Sequence, residues 1–509
     1  MEEGKMKKKW LALALSAAMI AGLAGCGGSA ASTSTTSTAA STAASTAAST
    51  AASTATESKT ASTAASTSTA SGDEGKVYNI YCWNDEFKTR VEDYYPGYTK
   101  GEDKKDDSGT TTSGTGKIGD VTVNWIITPS KDNAYQNALD EALLGQNDAE
   151  ADKKVDLFLV EADYALKYTD ASAGVAMDVK KDIGLTDSDM AQQYQYTKDI
   201  VTGSDGVQRG TSWQATPGLF AYRRSIAKDV LGTDDPDQVQ AALSDWSKFD
   251  EVAAQASAKG YKMLSGYDDS YRVFSNNVTK KWVDDSSKIQ IDDNLNKWVD
   301  QTKDFTDKGY NNKTSLWSDA WAADQGPQGK VFGFFYSTWG INFTLLGNSL
   351  ATSKADGGKE EVGNGIYGDW AVCQGPASWY WGGTWMCGAK GSDNVAITKD
   401  IMEKLTCDQT IMKQITVDTQ DYTNNQAAMK ELADDPTYGS AFLGGQNHIK
   451  LFAEAAPKID MSNAGPYDQG LNEAFQNAYK DYFDGNVDKD TALKNFYTAA
   501  LEKYPNLKQ

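Results

Sequence analysis

Between Val77 and Val160 three strand patterns alternate with two helix patterns, and this order constrains the fold more than any other feature of the chain. Val77–Trp83 (Val-Tyr-Asn-Ile-Tyr-Cys-Trp) is rich in strand formers and ends at Asn84-Asp85, a helix start. Phe87, Val91 and Tyr94 or Tyr95 recur at helical spacing until Pro96 stops the run. Asp120–Thr128 reads as a second strand, Asp132–Leu144 as a second helix, and Val155–Val160 as a third, more completely buried strand. Strand, helix, strand, helix, strand is the logic of a parallel sheet with helices on both faces. The Gly/Ser/Thr-rich stretch Asp106–Gly116, between the first helix and the second strand, is expected to be a mobile surface loop.

A second set of elements follows Gly210. Phe249–Lys259 reads as a helix, Tyr261–Ser265 as a short strand, and Lys297–Gly309 as a helix with Trp298 and Phe305 on one face. Lys330–Tyr336 is a strand pattern running into Ser337-Thr338-Trp339-Gly340. Two amphipathic helices end the chain. Leu471, Phe475, Tyr479 and Phe483 share one face of the first; Leu493, Phe496, Ala500 and Tyr504 share one of the second, which Pro505 closes.

The amino-terminal region is of another kind. Lys5, Lys7, Lys8 and Lys9 precede an apolar run from Trp10 to Leu23, too short to span as a mature helix, and the run ends in Leu23-Ala24-Gly25-Cys26. This resembles the lipobox of bacterial lipoproteins, which implies a signal peptide over 1–25 and a lipidated Cys26. Residues 29–70 are almost wholly Ser, Thr and Ala, with Glu57 and Lys59 the only charges. Such a composition has no apolar face to bury and does not offset chain entropy, so 26–75 is expected to be an unfolded tether.

About 430 residues remain, enough for two or three domains. Net charge is −21, and residues 1–25 hold four Lys and two Glu, a net +2, so the rest carries −23. That acidity argues against nucleic acid or anionic lipid headgroups as partners. Cys82, Cys373, Cys387 and Cys407 show no Cys-x-x-Cys spacing; Cys373 and Cys387 are the closest pair for a disulfide, and buried free thiols are the alternative. One histidine, His448, leaves no basis for Ser-His-Asp, Cys-His or multi-histidine zinc chemistry. Thr233–Asp237 lacks the EF-hand pattern, and neither a metal site nor a cofactor is expected.

Taken in order, the lipobox, the tether, Asp156-Leu-Phe-Leu-Val-Glu-Ala-Asp163-Tyr164, Gln214-Ala-Thr-Pro-Gly-Leu-Phe-Ala-Tyr222, Lys330-Val-Phe-Gly-Phe-Phe-Tyr-Ser-Thr-Trp339 and Trp381-Gly-Gly-Thr-Trp385 form a series. It resembles the extracellular solute-binding proteins of carbohydrate ABC importers, the maltose-binding-protein-like group. The resemblance implies an α/β, two-lobed periplasmic-binding-protein-like fold of class II type, each lobe a mainly parallel sheet flanked by helices. It places crossovers near 213–220, 372–380 and 430–445, with lobes of 76–215 plus 376–435 and 216–375 plus 436–509. It further implies a monomer without enzymatic activity, anchored through Cys26 on the extracellular face of a bacterial membrane, that captures an oligosaccharide between its lobes and delivers it to permease subunits. The insertion at 100–117 departs from shorter members.

Open α/β sheets bind ligands beyond the carboxyl ends of their strands. Those ends carry Trp83, Asn84 and Asp85, then Thr128 to Asn133, then Glu161, Asp163 and Tyr164. A sugar presents an apolar C–H face and a rim of hydroxyls, so it calls for an aromatic platform with carboxylate and amide partners. Trp213, Trp339, Trp381 and Trp385 are the candidates for the opposite wall, the last two flanking Gly382-Gly383-Thr384. Arg272 is expected to pair with a nearby Asp or to bond a hydroxyl. Two other readings stay open: a surface glycan-degrading lipoprotein, and a binder of a non-sugar such as a polyamine or peptide, whose cationic form would suit an acidic, aromatic opening.

Overall fold

The computed structural model describes residues 75–107 and 109–509. The signal, Cys26 and almost all of the tether lie outside these residues. In strand β1 (Val77–Cys82) four of six side chains are buried, and Asn84 Oδ1 accepts the Glu86 N–H where helix α1 (Glu86–Tyr94) begins. Strands β2 (Tyr98–Lys105), β3 (Thr111–Ile118) and β4 (Val121–Ile127) come next, followed by helix α2 (Ala134–Leu144) and the nearly fully buried β5 (Leu157–Glu161). With β6 (Thr211–Ser212) and β10 (Thr384–Gly388) these strands form a sheet of order β2-β3-β4-β1-β5-β10-β6. Its centre, β4-β1-β5, is parallel, as the βαβ pattern requires, and the pairs on either side are antiparallel.

A second, antiparallel sheet has the order β8-β7-β9, from β7 (Gly218–Arg223), β8 (Gly333–Ser337) and β9 (Trp370–Cys373), all wholly buried. The chain therefore passes from one sheet to the other between Ser212 and Gly218 and returns between Cys373 and Thr384. Helices α3 (Trp246–Ala258), α4 (Tyr271–Ser275) and α5 (Asp293–Asp307) follow β7, and α6 (Val395–Thr406) and α7 (Gln409–Thr419) follow β10. Asp245, Asp292 and Asp408 each accept a first-turn N–H, capping α3, α5 and α7. The terminal pair, α8 (Asp468–Phe483) and α9 (Lys489–Lys503), joins α4 and α5 in a separate core through Leu471, Phe475, Phe483 and Phe496, which pack with Trp282 and Trp298.

The stretch read as a mobile loop, Asp106–Gly116, is mostly strand: β3 pairs with both β2 and β4. Its buried positions are Thr111, Gly114 and Gly116, so no hydrophobic alternation marks it. The glycines are required by what crosses them. A Cβ on Gly114 would stand 2.5 Å from Lys88 Cε, and one on Gly116 would stand 2.0 Å from the Tyr98 hydroxyl. Tyr261–Ser265 forms no strand, because its backbone bonds diverge: Lys262 to Lys330 and Phe332, Met263 to Tyr310. Among the described residues Cys82, Cys373, Cys387 and Cys407 are free thiols. Burial drives the Cys373 thiol up to about 12 and that of Cys407 up to about 11, which leaves both inert.

Lys88 of α1, its side chain 3% exposed, ties the hairpin to the helix through Asp103 of β2 at 2.7 Å and also pairs with Glu92 one turn along α1. Lys88→Ala would leave both carboxylates without this buried partner, and urea unfolding should show a loss of about 3 kcal/mol. A loss within ~0.5 kcal/mol, the range of an ordinary surface change, would mean that Lys88 does not hold the hairpin.

Candidate ligand-binding cleft

Beyond the carboxyl ends of β1, β4 and β5 lies a cleft of about 470 Å³, closed on its far side by residues that follow β8 and precede β10. Trp83, Asn84 and Asp85 enter it where β1 ends, and Glu161 and Asp163 where β5 ends. The Trp83 ring stands edge-on to Tyr135 and Tyr164, with centroids 5.5 and 6.5 Å apart, which fixes the indole while leaving it half-buried. Across the cleft, Trp339 stacks with Trp317 at 6.2 Å and 23°, and its Nε1 donates to the Trp381 carbonyl at 3.0 Å.

The nine ligand-contact candidates divide. Trp83, Asn84, Asp85, Glu161, Asp163, Trp339 and Trp381 border the cleft, although Trp381 is only 3% exposed. The Trp381 ring stacks with Tyr336 at 6.3 Å and 19° and meets Trp317 at 5.4 Å and 44°, with the Arg272 guanidinium 5.2 Å from its centroid. Trp213 and Trp385 are core residues instead. Trp213 stacks on Phe87 at 5.1 Å, and Trp385 donates its Nε1 to the Thr197 carbonyl at 2.7 Å. Trp385 pairs with Val160 and Ser212 inside the sheet, one residue in from the start of β10, and that position buries it.

Between them, Gly382 and Gly383 take φ of 70° and 104°. A Cβ on Gly382 would lie 3.1 Å from Trp339 Nε1, and one on Gly383 3.1 Å from the Trp385 ring. Glycine lets this backbone run between the two indoles, and Thr216 Oγ1 holds it by donating to the Gly382 carbonyl at 2.8 Å.

Polar groups at the base join segments far apart in sequence. Gln214 Nε2 donates to Glu86 at 3.0 Å and to Asp421 at 2.8 Å, and Thr338 Oγ1 donates to the other Asp421 oxygen. Burial pushes the Glu86 carboxyl up to about 7, with Asp421 and Asp85 adding to the rise and Arg90 opposing it. Glu161 is raised by burial and then by the charge of Asp163, whose backbone N–H it accepts at 2.7 Å. Arg272 meets Asp163 with two parallel bonds of 2.8 and 2.6 Å, so the carboxylate pairing anticipated for Arg272 is the one present.

Glu86, Gln214, Trp317, Thr338 and Asp421 also border the cleft and were not candidates. Gln214 opens the Gln214–Tyr222 segment, where nothing in the adjoining residues marks it for the cleft. Trp317 lies in a loop at φ 67°, a conformation that nothing in the adjoining sequence announces. Among the described residues no group of three or more His, Cys, Asp or Glu side chains could hold a metal ion. No helix among them is long and apolar enough to cross a membrane.

Because the Glu86 carboxyl titrates near pH 7 when folded and near 4.5 when free, its ionisation opposes folding increasingly as pH rises from about 4.5 to 7, then levels off. Glu86→Gln removes that term. Its stability relative to the parent should climb through this window by about 2 kcal/mol, a value discounted for a side chain that is 30% exposed. Urea unfolding at pH 5 and pH 8 checks this, and a pH-independent difference contradicts it.

No protein-family model matches the chain, and no curated protein matches it in sequence. Solved structures do. An extracellular solute-binding protein of family 1 superposes with a TM-score of 0.65 at 15% identity, covering 84% of this chain and 99% of its own. A putative oligosaccharide periplasmic-binding protein from Synechococcus sp. MITs9220 gives 0.60 at 12% identity, over 84% and 99%. The ABC-transporter-associated binding protein of B. animalis subsp. lactis Bl-04, solved with β-1,6-galactobiose, gives 0.57 at 16% identity, over 85% and 98%. The chain thus has the two-lobed α/β fold of the extracellular solute-binding proteins.

Proposed function

We propose that this protein is the substrate-binding lipoprotein of an ABC importer: it takes an oligosaccharide into the cleft and hands it to membrane permease subunits. The observation that carries the reading is the cleft itself, with half-buried indoles on facing walls and carboxylates and amides between them. Its volume of about 470 Å³ lies within the range of small-molecule sites, and its chemistry matches a ligand with an apolar face and a hydroxyl rim. The three solved structures support it, since one is described as an oligosaccharide-binding protein and another holds a galactobiose.

We assign the lobes as 76–215 plus 376–435 and 216–375 plus 436–509. Ligand that touches both favours the closed arrangement, because only there are both sets of contacts made. Cys26 carries the lipid that holds the monomer at the extracellular face of the cell membrane. The reading involves no cofactor and no bond cleavage. His448 is fully buried and absent from the cleft lining, and burial depresses its pKa to about 4. Asp163 is committed to Arg272, and it sits beside Glu161 rather than across a scissile bond from it.

Titrating a neutral oligosaccharide panel, with heat and product formation recorded together, tests the proposal. Heat without chain shortening is expected; turnover by pure protein indicates a glycan-degrading enzyme, and spermidine binding in place of sugar binding indicates a polyamine carrier. For the sugar that binds best, Trp339→Ala should weaken affinity at least about tenfold while leaving melting within a few degrees. Trp213→Ala, in the core, should lower stability by roughly 3–5 kcal/mol. If Trp339→Ala melts as low as Trp213→Ala, its ring is structural and the platform assignment fails.

A further inference from the structure

Arg272 and Asp163 belong to different halves of the molecule. Asp163 stands in the turn after β5 of the first sheet. Arg272 is on α4, which Phe274 and Trp246 tie to β8 of the second. The two bonds of their fork, 2.8 and 2.6 Å, therefore cross the boundary between the halves. Both side chains are largely withdrawn from water, 18% and 16% exposed, so salt screens the pair little. The same guanidinium lies over the Trp381 ring, which fixes the crossing segment at the same point.

Asp163 borders the cleft and Arg272 does not. Behind the pair lies a second cavity of about 50 Å³, where the start of α8 faces Asp163 and Tyr164. Asp468, the first residue of α8, lines it. Its Oδ2 accepts the Gly465 N–H at 3.0 Å, while its Oδ1 is buried with no partner among the described residues. Burial raises the Asp468 carboxyl to about 7; the Gly465 N–H opposes the rise and the charge of Asp163 adds to it. Arg272 also holds down the rise at Glu161. Glu161 and Asp163 on one half and Asp468 on the other thus share the neighbourhood of one guanidinium. Without it, Asp163 and Asp468 are like charges facing across the boundary, which favours separation. With it, a charge-assisted fork joins the halves, and no ligand atom takes part.

Resting on the two-lobe assignment, we propose that Arg272 is a positioning residue that clasps the lobes in their closed arrangement before any ligand arrives. It acts through Asp163 and Trp381 and touches no ligand itself. Nitroxide labels on genetically encoded ketone side chains, at the exposed Glu141 of α2 and Glu251 of α3, report the separation of the lobes. Pulsed electron resonance reads it in the full chain without sugar, at pH 8.5, where Asp468 is ionised. The parent should hold about nine-tenths of its molecules at one short distance, and Arg272→Met should move at least about half to a longer one, roughly a tenfold change in the closed-to-open ratio. Arg272→Lys, which keeps the charge and loses the fork, should fall between them. Asp468→Asn added to Arg272→Met should return part of the closed population, a change that a mere packing gap would not produce. If Arg272→Met melts far below the parent, Asp163→Asn reads loss of the same clasp from the other lobe. A distribution in Arg272→Met or Asp163→Asn that matches the parent overturns the clasp. So does a parent already mostly open, or a double variant no more closed than Arg272→Met alone. No sugar is present, so these outcomes leave the carbohydrate reading to the oligosaccharide titration.

Discussion

The pairing of β10 with β5, Thr384 opposite Glu161 through Gly388 opposite Leu157, is the contact on which the site depends. It brings a strand from late in the chain into a sheet whose centre is built from residues 77–161, while β9, eleven residues earlier, belongs to the other sheet. The Trp381-Gly382-Gly383 segment must therefore cross between sheets directly over the end of β5. That crossing sets Glu161, the Gly382 carbonyl and the Trp339 indole side by side. A slip of one residue in the β10 register would exchange inward and outward faces. Trp385 would then leave the core.

The tryptophans illustrate how position relative to a strand end decides role. Trp83 is the first residue past β1 and stays half-buried; Trp339 is two past β8 and does likewise. Trp385 is one residue inside β10 and wholly buried, as is Trp213 just after β6, where Phe87 of α1 covers it. Trp83 ends a predicted strand, Trp339 and Trp385 stand beside glycine or threonine, and nothing next to Trp213 marks it as core, so composition did not separate them. Boundaries read to within a few residues are too coarse to place an indole on one side of a strand end or the other.

The fold was more legible than the site for a physical reason. Strand and helix periodicity is a local property, and β1, α1, β4, α2, β5, α5, α8 and α9 all lie where the apolar pattern puts them. The β2–β3 hairpin was not legible, because what covers β3 is not an alternation of its own apolar residues but Lys88 of α1 and Tyr98 of β2 passing over its glycines. At the site, residues that end a recognisable strand were found, whereas Asp421, Thr338 and Gln214 are joined only through bonds between segments up to 207 residues apart. Such a network carries no periodic signature. It exists only after both sheets have formed.

Arg272 shows the same dependence in its strongest form. Its helix α4 is anchored to the second sheet through Phe274, which stacks on Trp246 at 4.2 Å, and Trp246 in turn packs on Phe335 of β8. Its guanidinium nevertheless forks onto Asp163, beyond β5 of the first sheet, and covers the ring of Trp381 in the crossing segment. One side chain thus engages both sheets and the strap between them. Charge-assisted fork geometry tolerates little rotation, so this pair favours one relative placement of the two walls. The pair therefore works in the same direction as a ligand that bridges the walls, since both sets of contacts are made only where Asp163, Arg272 and Trp381 stand together.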